Sequence, residues 1–174
     1  KLGDVTVAAP KVEQSGKSQA IHFTREIAID EVEIAPGIKG YSVDSTPADC
    51  VRFGIHALKT KYDLILSGIN RGYNLGDDIV YSGTCGAIFE GSRLGVKGIA
   101  VSAREDCFTE AVDKLDEVFD YIRNHDLLGK HGWYNINIPP VAGEIRITRQ
   151  GGDYYTDSFK DCGSDMYLQC GDPI

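Results

Sequence analysis

Two residues in this chain have the type and placement to share a cation: Ser15, within Gln14-Ser15-Gly16, and Asn70, within Ser67-Gly68-Ile69-Asn70. Each follows an apolar run that reads as a sheet strand, residues 5–9 before a polar loop over 10–18 and residues 63–67 before a glycine-rich loop over 68–81. If the two strands are parallel neighbours, both loops open at one sheet edge, and open α/β sheets bind ligands beyond the carboxyl ends of their strands. A serine hydroxyl and an asparagine amide are neutral oxygen donors that Mg²⁺ or Mn²⁺ accepts. Two neutral oxygens hold such an ion weakly, so carboxylates are expected beside them.

The glycine-rich loop ends in Ser82-Gly83-Thr84, which opens a helix. Unsatisfied amides at a helix N-terminus, joined by hydroxyl donors, suit a phosphate group. A serine there also serves as a plain helix cap, and the sequence alone leaves both readings open. Asp77 and Asp78 are the obvious acidic pair for a metal, yet adjacent loop carboxylates are commonly solvated, so they rank as second-tier candidates. Gly16-Lys17-Ser18 imitates the end of a P-loop, but the position that needs glycine is Lys11 and no helix follows. The four histidines show no ligand spacing, Lys59 and Lys61 with Arg52 read as a solvated helix face, and there is no Gly-x-Ser-x-Gly elbow.

The elements that must position these residues follow an α/β order. After a helix tail over residues 1–4 and the strand at 5–9, alternating stretches from about 20 to 43 predict hairpin or edge strands. Ser45-Thr46-Pro47 with Asp49 predicts a helix start. Then come the strand at 63–67, a helix from Ser82, a buried strand at 98–102, an amphipathic helix over roughly 109–124, and strands at 133–138 and 145–148. This order implies a mainly parallel sheet with helices on both faces. The tail from Gly151 shows weak periodicity and no core helix. A net charge of −8 argues against nucleic-acid polymers and anionic membranes as partners, though not against a small phosphorylated ligand. Five cysteines without a Cys-x-x-Cys pair read as reduced thiols, no apolar run reaches membrane-spanning length, and a cytoplasmic location is expected.

The eighteen residues from Ser67 to Thr84 closely resemble the signature loop of the SurE family. Val7-Ala8-Ala9-Pro10 with Gln14-Ser15-Gly16, Ser45 to Val51, Asn135-Ile136-Asn137-Ile138-Pro139 and Thr148-Arg149-Gln150 resemble other parts of that family in the expected order. The resemblance implies a three-layer αβα, Rossmann-like fold with an added β-hairpin region, comprising a core over residues 1–150 and, from 151 to 174, the start of an extension used in forming dimers or tetramers. It implies hydrolysis of nucleoside 5′- and 3′-monophosphates with one divalent cation, Mg²⁺ or Mn²⁺, per subunit. Ser15 and Asn70 match the family's neutral metal ligands; Gly16, Asn74, Ser82, Gly83 and Thr84 fall at phosphate- or substrate-holding positions. The family's further ligands, two consecutive aspartates in an Asn-Asp-Asp-Gly turn, have no counterpart here, and the pattern places them roughly 25 residues upstream on average element lengths. The alternative expectation is a phosphate- or nucleotide-binding module of the same fold with impaired catalysis.

Overall fold

The computed structural model describes residues 3–141 and 143–174. Of the expected helix tail, Lys1 and Leu2 lie outside the described residues, and Gly3 and Asp4 are irregular. A short β1 (Ala8–Pro10) runs parallel to β3 (Ile38–Val43), which pairs antiparallel with β2 (Ile29–Ala35) across a Pro36-Gly37 turn. The hairpin is thus narrower than the alternation suggested, and residues 20–28 form a loop. The strand expected at 5–9 shifts to 8–10 and is half-buried, with Val5 77% exposed, so this apolar run lacks the cover of a central strand.

Thr46 caps α1 (Pro47–Arg52), its hydroxyl accepting from the Asp49 amide, and the helix continues as a π-turn over Phe53–Ala57. Lys59 and Lys61 therefore follow the helix rather than lining its face, and Arg52 is paired with Glu90 instead of solvated. The second sheet is fully parallel, ordered β4 (Leu64–Arg71), β5 (Lys97–Ala103) and β6 (Trp133–Ile138). β4 runs four residues past Ser67, into the stretch expected to be loop, by way of an irregular step between Ser67 and Asn70. Gly68 makes that step possible: its φ is +127°, and a Cβ there would stand 2.3 Å from the Val101 carbonyl oxygen.

Side-chain alternation on β5 divides the core. Ile99, Val101 and Ala103 pack against α3 (Phe108–Asn124) through Ala111, Phe119 and Ile122, whereas Ala100 packs against α2 (Gly83–Arg93) through Cys85 and Ile88. A short α4 (Leu127–Lys130) leads from α3 into β6. The connections β4–α2–β5 and β5–α3–β6 step in the same direction across the sheet yet pass over opposite faces. They therefore have opposite hands, and one departs from the right-handed rule for parallel crossovers.

Two expectations are corrected here. β1 and β4 belong to different sheets and are not hydrogen-bonded neighbours among the described residues. Residues 145–148 form no strand; the chain passes instead into a hairpin of β7 (Tyr155–Gly163) and β8 (Met166–Pro173), whose two strands, among the described residues, pair only with each other.

Candidate functional site

The N-terminus of α2 is the point on which the predicted residues converge. Ser82 is its N-cap, the side-chain oxygen accepting from the Cys85 amide at 3.1 Å. Of the two readings of Ser82, the structure shows the cap. The lone pair satisfies the helix, the hydroxyl proton stays available, and the Gly83 and Thr84 amides precede the first intrahelical donor. Thr84 donates its hydroxyl to Asn70 Oδ1 at 3.1 Å, which ties the end of β4 to the helix start. Asn70 Nδ2 in turn donates to the Gly72 carbonyl at 2.8 Å, so the amide group is held with its oxygen toward α2.

The Ser15 loop reaches the same helix end from the other sheet. Ser18 donates its amide to Tyr81 O at 2.9 Å and its hydroxyl to Val80 O at 2.6 Å. Glycines on α2 permit the approach: a Cβ at Gly83 would stand 3.0 Å from Gln14 O, and one at Gly86 only 2.1 Å from Ser18 O. Although β1 and β4 are not paired, their loops still meet, because both dock on the first two turns of one helix. Ser15, next to Gln14, donates its hydroxyl to Glu13 Oε1 at 2.7 Å. Gly16 takes a φ of +71° in the turn that follows.

Beyond Asn70 the loop is gripped by polar side chains at the carboxyl ends of β5 and β6. Asn74 donates its side-chain amide to Ser102 Oγ at 2.8 Å and its backbone N–H to Asn137 Oδ1 at 2.9 Å. Its carbonyl accepts from Asn135 Nδ2 at 2.8 Å and Asn137 Nδ2 at 3.0 Å. Register places Asn70, Ser102 and Asn137 in one row across the three strands. Gln150 bonds Asn135 and the Gly76 carbonyl, while the Asp77 amide donates to Gly152 O, so residues 150–152 lie along the loop. Asp77 and Asp78 sit in the 3-10 turn Gly76–Tyr81, both exposed, and neither carboxylate joins Ser15 or Asn70 through a hydrogen bond.

Two buried carboxylates brace the assembly. Asp49, 4% exposed, accepts from the His22 amide at 2.9 Å and from the Ser45 and Thr46 hydroxyls, anchoring the far end of the Ser15 loop to α1. Glu90, 2% exposed, accepts from Arg93, from Gln19 at 2.8 Å and from Arg52 at 2.9 Å, and these partners hold its carboxyl down at about 2 against an ordinary 4.5. Burial pushes the Cys85 thiol beside the site upward, away from nucleophilic use.

As a metal site the residues match in kind but not in number. Ser15 Oγ, Asn70 Oδ1 and the Glu13 carboxylate are hard oxygen donors, yet among the described residues no three His, Cys, Asp or Glu side chains gather in a metal-binding group. The protein atoms described here do not complete a divalent-cation shell. Sequence reasoning passed over Glu13, Ser102 and the loop-holding part of Asn135, Asn137 and Gln150. The alternation Asn-Ile-Asn-Ile carried a usable signal, since a period of two sends both amides to one face and both isoleucines into the α3 core.

Comparison with known proteins bears on the family and the fold. The family described as Survival protein SurE matches residues 1–157. The 5'-nucleotidase SurE of Thermosipho melanesiensis is 37% identical, the match covering 100% of this chain and 72% of that protein. The Synechocystis protein of the same name is 36% identical over 91% of this chain and 61% of its own length. The crystal structure of the Sure protein from Aquifex aeolicus superposes with a TM-score of 0.75 at 33% identity, covering 99% of this chain and 73% of that one. The chain spans roughly two thirds of the length of the curated relatives it matches, between 61% and 72% of the first three. On the extent of the family match, the identity to these relatives and the shared α/β fold, the chain belongs to the SurE family.

Proposed function

We propose that this chain carries the phosphate-holding part of a metal-dependent phosphomonoesterase that cleaves nucleoside monophosphates to nucleoside and phosphate. The observation that carries the reading is the meeting of the Ser15 loop, the Asn70 amide and the capped N-terminus of α2, through the Thr84–Asn70 bond and the close packing of residues 14–18 on Gly83 and Gly86. Gly83 and Thr84 amides, with the Ser82 hydroxyl, hold the phosphoryl oxygens; Gly16 and Asn74 shape the substrate side. Ser15 and Asn70 would supply neutral oxygens to Mg²⁺ or Mn²⁺, which when bound would contribute Lewis-acid chemistry at the phosphoryl group. Asp77 and Asp78, exposed one turn before α2, face the entering substrate. The names of the relatives, 5'-nucleotidase SurE, support nucleoside 5′-monophosphates as substrates; cleavage of 3′-monophosphates is the wider form of the proposal.

The C-terminal hairpin supports assembly into a homodimer or homotetramer. All its residues with a described side-chain environment are exposed, including Phe159 at 66%, Met166 at 64%, Tyr167 at 63% and Leu168 at 58%, and an apolar ribbon of this kind is normally covered by a partner. On this reading residues 1–150 form the core and 151–174 the assembly arm.

Manganese-dependent phosphate release from a nucleoside 5′-monophosphate tests the activity. With no carboxylate cluster among the described residues, these 174 residues are expected to bind phosphate but turn over slowly. Joining an Asn-Asp-Asp-Gly strand and helix ahead of Lys1 is expected to raise the rate by orders of magnitude. Equal rates with and without it would remove the metal-dependent mechanism, while binding of nucleotide that survives chelation would favour a metal-free binding module.

A further inference from the structure

We infer that Asn137, seconded by Asn135 and Ser102, is a positioning residue that sets the Asn70–Gly76 loop in its ligand-holding conformation; the inference rests on the phosphate-holding reading of the site above. Asn137 makes no hydrogen bond to α2 among the described residues, and Asn135 meets it through the Cys85 thiol, which donates weakly to Asn135 Oδ1 at 3.8 Å. Both side-chain amides donate to one residue, Asn74, whose N–H and carbonyl are both taken by Asn137 at 2.9 and 3.0 Å. Asn135 adds a second donor to the same carbonyl at 2.8 Å and keeps a longer contact of 3.4 Å with Gln150.

This double contact has a chemical requirement. Pairing with the N–H and the carbonyl of a single residue takes one acceptor and one donor on the same planar group, which a carboxamide has and a carboxylate lacks. β6 supplies it in a rigid setting, because Ile136 and Ile138 on the opposite face are packed into the α3 core. Ser102, fully buried on β5, accepts from Asn74 Nδ2 at 2.8 Å and leaves Asn74 Oδ1 uncommitted among the described residues. The chain from Asn70, bonded to Thr84, to Gly76, bonded to Gln150, is therefore pinned at its middle by side chains of β5 and β6. Such outer support is what fixes a binding loop to within a fraction of an ångström.

The carboxamide requirement yields a test that a purely structural role would not pass. Asn137→Asp keeps the shape and the acceptor but sets an anionic oxygen against the Asn74 carbonyl. Once protonated, the same side chain regains one donor and one acceptor. Inorganic phosphate is titrated into the isotope-labelled chain at pH 8 and at pH 5, with the parent, Asn137→Asp and Asn137→Ala compared at each pH. The expected result is affinity at least tenfold below the parent for both variants at pH 8, since Asn137→Ala loses both hydrogen bonds and Asn137→Asp sets a charge against the Asn74 carbonyl. At pH 5 Asn137→Asp returns to within about threefold of the parent while Asn137→Ala stays weak. Amide exchange at Asn74, read without ligand, accelerates at least tenfold in Asn137→Ala. Should either variant fail to fold, Asn135→Ala removes one of the two donors to the Asn74 carbonyl, with the longer Gln150 and Cys85 contacts, and is expected to weaken phosphate binding several-fold. Parent-like affinity in folded variants at pH 8, or an Asn137→Asp deficit that does not change with pH, overturns the inference. A parent chain that binds no phosphate overturns the reading of the site itself, and the positioning role with it.

Discussion

Replacing Gly86 with alanine isolates the contact on which convergence of the two loops depends. The added Cβ would lie 2.1 Å from Ser18 O, 2.6 Å from Ser18 C and 2.9 Å from Gln19 N, all of them backbone atoms that no rotamer change can move. The carbonyl has to retreat by more than about 1 Å to reach ordinary contact. Alanine in place of glycine favours the helix by up to ~1 kcal/mol. Against that, overpacking costs about 1–3 kcal/mol if the loop stays. If it lifts instead, the two Ser18 bonds to Val80 and Tyr81 and the Gln19–Glu90 bond are lost at about 1 kcal/mol each. The expected net loss is about 1–2 kcal/mol by urea denaturation, small because the helix itself gains. Phosphate affinity should fall far more than that suggests, at least tenfold, because Ser15 and Gly16 ride on the displaced segment. Gain of stability with unchanged phosphate binding would refute the packing of this loop on α2.

Other predictions follow from the same contacts. Glu90 has its folded pKa depressed to about 2, so its contribution is complete above the ordinary value of 4.5 and is lost as pH falls toward 2. The span corresponds to about 3 kcal/mol, and this acid-side loss, followed by denaturation at stepped pH, should be largely absent in Glu90→Gln. Asp49→Ala strands the His22 amide and takes the closest acceptor from the Ser45 hydroxyl, while Thr46 keeps the Ala20 carbonyl at 2.6 Å; a loss of about 1–3 kcal/mol is expected in urea denaturation. Of the five cysteines, Cys162 and Cys170 should react at once with a thiol reagent in the native state. Cys50, whose thiol burial pushes up to about 12, and the buried Cys85 and Cys107 should react only on unfolding. Paired charges on the hairpin, Phe159→Asp with Leu168→Asp, should shift the sedimenting species to monomer without changing the phosphate affinity of the core.

The parts of this molecule that the sequence displayed most clearly are those governed by local rules. Residues 98–102 form β5 because a short apolar run between polar segments is buried on both faces, and Ser82 opens α2 because a hydroxyl before Gly83 caps it. Local rules fail where the deciding partner is distant. β4 extends to Arg71 only because Gly68 lets the backbone press on Val101. Residues 145–148 have strand composition but no strand pairing, while the Gly- and Asp-rich tail closes into a hairpin through its own ladder. Within the candidate site, Ser15, Asn70 and the start of α2 were proposed from strand ends and a cap, and the structure brings their loops to one helix end. Glu13 was hidden as an ordinary loop carboxylate, and the Asn135–Asn137 grip was hidden because it acts on a backbone more than sixty residues away.

Addition of Mn²⁺ to the isotope-labelled chain in phosphate buffer tests the shared site most directly, since paramagnetic broadening reports even weak occupancy by position. Amide signals of Ser15, Gly16, Asn70, Gly83 and Thr84 are expected to fade first and together. Broadening centred on Asp77 and Asp78 or on the acidic surface of α3, with those five signals intact, would contradict the shared site.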